Sequence, residues 1–189
     1  TCVFFGDAAT EEGAFHEAAI FAVIRKLPVL FICENNLYSV YSPLEVRQPT
    51  HIPIWQRAAS YGMRSEHGNG NDVEDVYTMT QAAVSSIRRG EGPVFLEFAT
   101  YRWREHCGPL FDNDIGYRTE AEYELWKARD PIDVYEKKLS QADILTASSA
   151  NRIQEECQAK VDDAFSFAEA SPFPPADDAF QHLYAESCS

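Results

Sequence analysis

The chain has 189 residues, 45% of them hydrophobic, and a formal net charge of −14. That length and apolar content suit one domain with a sizeable core and exclude a disordered segment. The acidity argues against nucleic-acid binding, because phosphate backbones attract basic surfaces, and no apolar run reaches the length of a membrane span.

Val3-Phe4-Phe5 is an apolar run that reads as a buried strand. Gly6-Asp7-Ala8-Ala9 then turns the chain into a helix that carries Glu11, Glu12 and Glu17 near its start and runs to about Lys26, where Leu27-Pro28 stops it. Val29 to Cys33 is a second apolar strand, with Glu34-Asn35-Asn36 at its carboxyl end. This is a β-α-β unit with parallel strands, so the fold class is α/β, a mainly parallel sheet with flanking helices. Loops at the carboxyl ends of neighbouring parallel strands lie side by side, and ligands bind there. Asp7 and Asn36 are far apart in sequence but share that edge. Their hard oxygens can hold magnesium, which takes few protein oxygens and keeps substrate phosphates as partners, and the helix start after Asp7 offers free N–H groups to a phosphate. Alone, Asp7 reads as a cap and Asn35-Asn36 as a turn; together, between strands, they read as a magnesium-diphosphate site.

Tyr38 to Thr50, broken by Pro43 and Pro49, is a loop in which Tyr38 and Tyr41 either pack or shape an entrance. His51 to Tyr61 has helical spacing, and His51 reads as a cap or surface residue. Met63 to Glu66 is a short strand before a glycine-rich turn, His67-Gly68-Asn69-Gly70-Asn71, which lacks the Lys-Ser/Thr of a phosphate loop. Asp72 caps the next helix, with Asp75 in the place of a capping-box glutamate, and Val94 to Phe98 is another parallel-type strand. After it come Arg102, Arg104 and His106, cations at the ligand edge of an acidic chain. Gly108 to Tyr117 is rich in turn formers; its Asp112-Asn113-Asp114 lacks the later residues of a calcium loop. Thr119 and Glu122 form a capping box, Pro131 starts a further helix, and Ser148 to Ala170 is a long helix whose buried side is Ile153, Cys157, Val161, Ala164, Phe165 and Ala168. In the tail, Phe180, Leu183 and Tyr184 suit packing on a partner or on a preceding part of the chain. Thr1 opens directly into a strand, which reads as the C-terminal part of a longer polypeptide with its N-terminal part missing. The cysteines (Cys2, Cys33, Cys107, Cys157 and Cys188) have no C-x-x-C spacing and fit reduced thiols in the cytoplasm.

Gly6-Asp7, a helix, and a strand ending in Asn35-Asn36 resembles the thiamine-diphosphate motif. The run Gly6–Tyr38 looks like the α subunit of thiamine-dependent 2-oxo acid dehydrogenases. The resemblance implies that Asp7, Asn36 and the Tyr38 carbonyl bind Mg2+, and that Gly6, Ala8 and Ala9 lie against the diphosphate of thiamine diphosphate. Ala8 departs from the motif's glycine: it costs little at negative φ and is strained at positive φ. Tyr101-Arg102 to His106 is similar to the family's Y-R-x-x-x-H loop, which implies that His106 reaches the diphosphate and serves acyl transfer, with Arg102 holding the loop. Cys107 and Gly108 stand where animal pyruvate dehydrogenases carry a kinase-target serine, so the resemblance implies a chain that lacks that switch.

The resemblance further implies residues 1–118 as the C-terminal part of the cofactor-binding domain and 119–189 as a helical extension packed on it. The activity it implies is oxidative decarboxylation of a 2-oxo acid, pyruvate first, with the acyl group passed to a lipoyl-bearing acyltransferase. It implies an α2β2 heterotetramer whose β subunit supplies the activating glutamate. Three alternatives stay open: an acetoin dehydrogenase α subunit, an inactive remnant that only binds its partner, and a magnesium-dependent phosphate-binding regulator.

Overall fold

β1 (Cys2–Gly6), a 3₁₀ turn (Asp7–Glu11), α1 (Gly13–Arg25) and β2 (Leu30–Asn35) open the computed structural model, which describes residues 1–181; Leu183, Tyr184 and Cys188 lie outside the described residues. A small hairpin of β3 (Tyr38–Ser39) and β4 (Ser42–Pro43) follows, then α2 (Leu44–Arg47), α3 (Ile54–Ala59), β5 (Arg64–Asn69), α4 (Val73–Arg88) and β6 (Val94–Ala99). The strands β1, β2, β6 and β5 pair in that order, all parallel, while β3 and β4 pair antiparallel. α5 (Glu120–Lys127), α6 (Pro131–Gln141) and the long α7 (Ala147–Ala170) complete an α/β fold. The chain divides into two compact units, Thr1–Lys137 and Lys138 onward, so the first unit takes in α5 as well as the sheet. Among the described residues no helix is long and apolar enough to cross a membrane.

Strand alternation splits the core into two layers. Phe31 and Cys33 of β2 and Phe95 of β6 face α1 and α3, where Ala19, Ala22, Ile54 and Ala58 close the space. Leu30 and Ile32 of β2, with Val94, Leu96 and Phe98 of β6, face α4 through Ala83, Met79 and Ile87. Helices on both faces are what near-continuous apolar parallel strands require. β1 differs from its expected burial: it is the edge strand, and Phe4 is 63% exposed because no described element covers that side of it.

Local chemistry moves several other boundaries. The helix expected straight after Asp7 is instead a 3₁₀ turn, and α1 begins only at Gly13. The helix expected over His51 to Tyr61 is the single stretch Ile54–Ala59, held off by Pro53, and His51 is exposed. β5 runs on through His67, Gly68 and Asn69, which the sequence placed in a turn. Gly70 follows because the Ala99 carbonyl lies 2.8 Å from where a Cβ would stand. Asp72 caps α4 as expected, accepting from the Glu74 and Asp75 amides, but the Asp75 carboxylate turns away to the Asn69 amide at 2.8 Å. Thr119 likewise caps α5 at the Glu122 amide, while the Glu122 carboxylate goes elsewhere. In α7 the side expected to be buried is exposed: Ile153, Cys157, Val161 and Phe165 all face outward among the described residues. Periodicity marks an apolar stripe, not what covers it.

Candidate active site at the carboxyl edge of the sheet

The last β1–β2 pair is Gly6 with Glu34, so Asp7 and Asn36 leave the sheet by the same edge, from strands about 4.8 Å apart. Asp7 is 1% exposed. Its Oδ2 is ion-paired to Arg47, and among the described residues its Oδ1 takes no hydrogen bond. Arg47 also pairs with Glu11 and donates through Nε to the Ser42 carbonyl at 3.1 Å. Gln48 donates to the Asp7 carbonyl at 3.1 Å and is itself held by Arg57. These contacts fasten the 3₁₀ turn to the loop carrying α2. Ala8 lies within that turn at negative φ, so the alanine carries no left-handed strain.

The second strand end is a strained turn. Leu37 sits at φ 71° and Val40 at φ 54°, both non-glycine residues in left-handed conformation, and such outliers concentrate at functional sites. Asn36 Oδ1 accepts from the Tyr38 amide at 3.0 Å, and Asn35 Oδ1 accepts from the Leu37 amide at 3.0 Å. The Tyr38 hydroxyl donates to the Glu122 carboxylate. The Tyr38 phenol is pushed well above the ordinary range, first by burial and then by that hydrogen bond.

The third strand end brings in the 101–118 loop. Thr100 donates its amide to the Asn35 carbonyl at 2.9 Å, fixing the loop's start beside the Asn35-Asn36 turn. Arg102 donates to the Val40 carbonyl and the Tyr117 hydroxyl, each at 2.9 Å, so it ties the loop to the hairpin. Arg118 is fully buried, pairs with the buried Asp112, and donates to the Arg102 carbonyl at 2.6 Å. Two guanidinium groups thus converge on one carboxylate, giving a local positive charge in an acidic chain. His106 is exposed, farther out on the same loop.

Of the residues singled out from sequence, Gly6, Asp7, Ala8, Ala9, Asn36 and Tyr38 lie at the edge and Arg102 reaches it through Val40, while His106 is exposed on the loop that follows the third strand end. Arg47 and Glu97 were missed. Glu97 is a carboxylate inside the apolar run of β6, and that break in an otherwise hydrophobic strand was its signal. Arg47 had none beyond being a cation in a loop.

The family model described as "Dehydrogenase E1 component" matches residues 1–177. The chain is 36% identical over 184 residues to 2-oxoisovalerate dehydrogenase subunit alpha of Bacillus subtilis (strain 168), a match covering 97% of the chain and 55% of that relative. It is 34% identical over 186 residues to pyruvate dehydrogenase E1 component subunit alpha-3, chloroplastic, of Arabidopsis thaliana, covering 98% of the chain and 42% of the relative. It is 34% identical over 188 residues to pyruvate dehydrogenase E1 component subunit alpha of Porphyra purpurea, covering 99% and 53%. The chain spans about half the length of these curated relatives. On the family match and these identities, the chain belongs to the dehydrogenase E1 component family, on its 2-oxo acid dehydrogenase α-subunit side.

Proposed function

We propose that this chain is the α-subunit part of a 2-oxo acid dehydrogenase first component that binds Mg2+ and thiamine diphosphate. Asp7, Asn36 and the Tyr38 carbonyl hold the metal. Gly6, Ala8, Ala9, Arg102 and His106 line the diphosphate, with His106 serving acyl transfer. The observation that carries this reading is the buried Asp7 carboxylate: one oxygen is held by Arg47, the other is free, and Asn36 leaves the neighbouring strand at the same edge. The donor set fits the ion: a carboxylate, an amide oxygen and a carbonyl are hard oxygens, few enough to leave places for diphosphate oxygens and water. Once bound, the cofactor supplies the chemistry for decarboxylating a 2-oxo acid, while the protein supplies position and charge.

Pyruvate is the first substrate reading, after the Arabidopsis and Porphyra relatives. A branched-chain 2-oxo acid is the second, favoured by the 36% identity to the Bacillus protein. The full enzyme pairs this chain with a β subunit in an α2β2 assembly and passes the acyl group to a lipoyl-bearing acyltransferase. Residues 119–189 serve as the extension of the cofactor-binding part.

The experiment is calorimetric titration of the assembled protein with thiamine diphosphate, with and without Mg2+, followed by turnover with pyruvate, 2-oxoisovalerate and acetoin. Saturable, Mg2+-dependent binding with turnover of a 2-oxo acid is expected. Binding of ATP or ADP as tightly as thiamine diphosphate would instead support a phosphate-binding regulator, and no binding would support a non-catalytic subunit.

A further inference from the structure

Among the described residues the buried carboxylate of Glu97 makes no hydrogen bond to a proposed ligand, yet its hydrogen bonds lead to the metal turn. It is 4% exposed on β6, one of the two inner strands of the sheet. Among the described residues it has no cationic partner. Its Oε1 accepts from Asn35 Nδ2 at 2.7 Å, and its Oε2 accepts from the Trp55 amide at 2.8 Å at the start of α3. A buried carboxylate without a cation is costly unless donors satisfy both oxygens, and these two do.

We propose that Glu97 and Asn35 form a positioning relay that sets the metal-binding turn, with neither residue touching the ion. This inference rests on the metal site proposed above. The carboxylate only accepts, so the NH2 of Asn35 must face it, and the amide oxygen is thereby turned to the Leu37 amide at 3.0 Å. Leu37 is the left-handed residue between the two proposed ligands, Asn36 and Tyr38. For a side chain other than glycine that conformation is unfavourable and must be held. The Asn35 oxygen holds it at the amide, and the Leu44 amide holds it at the carbonyl, 2.7 Å away. With Leu37 fixed, the Asn36 oxygen accepts from the Tyr38 amide, and the side chain and backbone of the turn are set together. The first asparagine of the pair is thus the link between the sheet interior and the second.

The test exploits hydrogen-bond polarity. In Glu97→Gln one acceptor becomes an NH2 and meets either the Asn35 NH2 or the Trp55 amide, donor against donor. In Asn35→Asp/Glu97→Gln the polarity of one bond is reversed. The introduced glutamine donates to the introduced aspartate and keeps its oxygen for the Trp55 amide. The aspartate still accepts from the Leu37 amide, and the net charge is unchanged. Mn2+ binding in the presence of thiamine diphosphate is read by electron paramagnetic resonance, and a thermal melt is recorded beside it. Glu97→Gln is expected to weaken Mn2+ about 10- to 100-fold, as loss of a partner behind a ligand does, and the double variant to return close to wild type. Wild-type affinity in folded Glu97→Gln, or a folded double variant that stays as weak as the single one, overturns the relay. If Glu97→Gln does not fold, the double variant carries the test, and its failure to bind then overturns the proposal. If the wild type itself binds no Mn2+, the metal reading falls separately. The relay is then read by hydrogen exchange at the Leu37 and Tyr38 amides, expected to be protected in wild type and double variant and open in Glu97→Gln; equal protection in all three overturns it.

Discussion

Tyr38 donates its phenol hydrogen to both oxygens of the Glu122 carboxylate, at 2.9 and 2.7 Å, although the residues are 84 positions apart. This contact diverts Glu122 from its own helix cap and fastens α5 to the turn at the end of β2. Tyr38→Phe removes the donor and keeps the ring, so stability should fall by about 1–2 kcal/mol. The proposed ligand at this position is the backbone carbonyl, so Mn2+ affinity should change far less than in Asp7→Ala. Thermal melts and Mn2+ titrations of the two variants check this; equal loss of affinity in both counts against a backbone ligand.

The same hydrogen bonds set an alkaline limit. Burial, then the Asp112 hydrogen bond, push the Tyr117 phenol up to about 12, and Tyr38 is shifted in the same direction by burial and Glu122. A phenol whose folded value exceeds its unfolded value contributes stability in full below the unfolded value, near 10, and loses it as pH rises through the folded one. Melting temperatures should therefore decline from about pH 10 to about 12, and the decline should be shallower in Tyr117→Phe. An unchanged slope in that variant removes Tyr117 as a cause.

Cysteine reactivity should sort by burial. Cys33 is fully buried between the sheet and its helices, and burial with nearby carboxylates pushes its thiol far above the ordinary range. Cys2, Cys107 and Cys157 are free and exposed. A pulse of iodoacetamide followed by peptide mass spectrometry should label those three in the native protein and reach Cys33 only after denaturation.

The loop that carries His106 depends on Asp112. Asp112→Asn leaves the Arg118 guanidinium buried against a neutral amide, and breaking such a pair costs about 3–5 kcal/mol. Limited proteolysis should then cut between Trp103 and Phe111 sooner than in wild type, while Asp114→Asn, at an exposed position nearby, should leave the rate unchanged.

The fold was legible where chemistry is local. The apolar runs of β1, β2 and β6, the Asp72 and Thr119 caps and the shared edge of Asp7 and Asn36 all follow from residue type and spacing. Tertiary competition decided the rest. The carboxylates of Asp75 and Glu122 had two possible partners each, and the more distant one won. Arg47 found Asp7 only because the loop after β4 folds back over the 3₁₀ turn. Glu97 stood out as a carboxylate in an apolar strand, but alternation gives the face a side chain takes and not the donors waiting there.

The most direct test is a crystal of the assembled protein grown with thiamine diphosphate and Mn2+, with the anomalous signal of the metal mapped. The expected result is one peak bonded to the Asp7 carboxylate, the Asn36 amide oxygen and the Tyr38 carbonyl, at about 2.1 Å, close to magnesium–oxygen distances and short of calcium ones. Bound cofactor with its metal elsewhere, or Asp7 still closed on Arg47 with no metal beside it, would contradict the site.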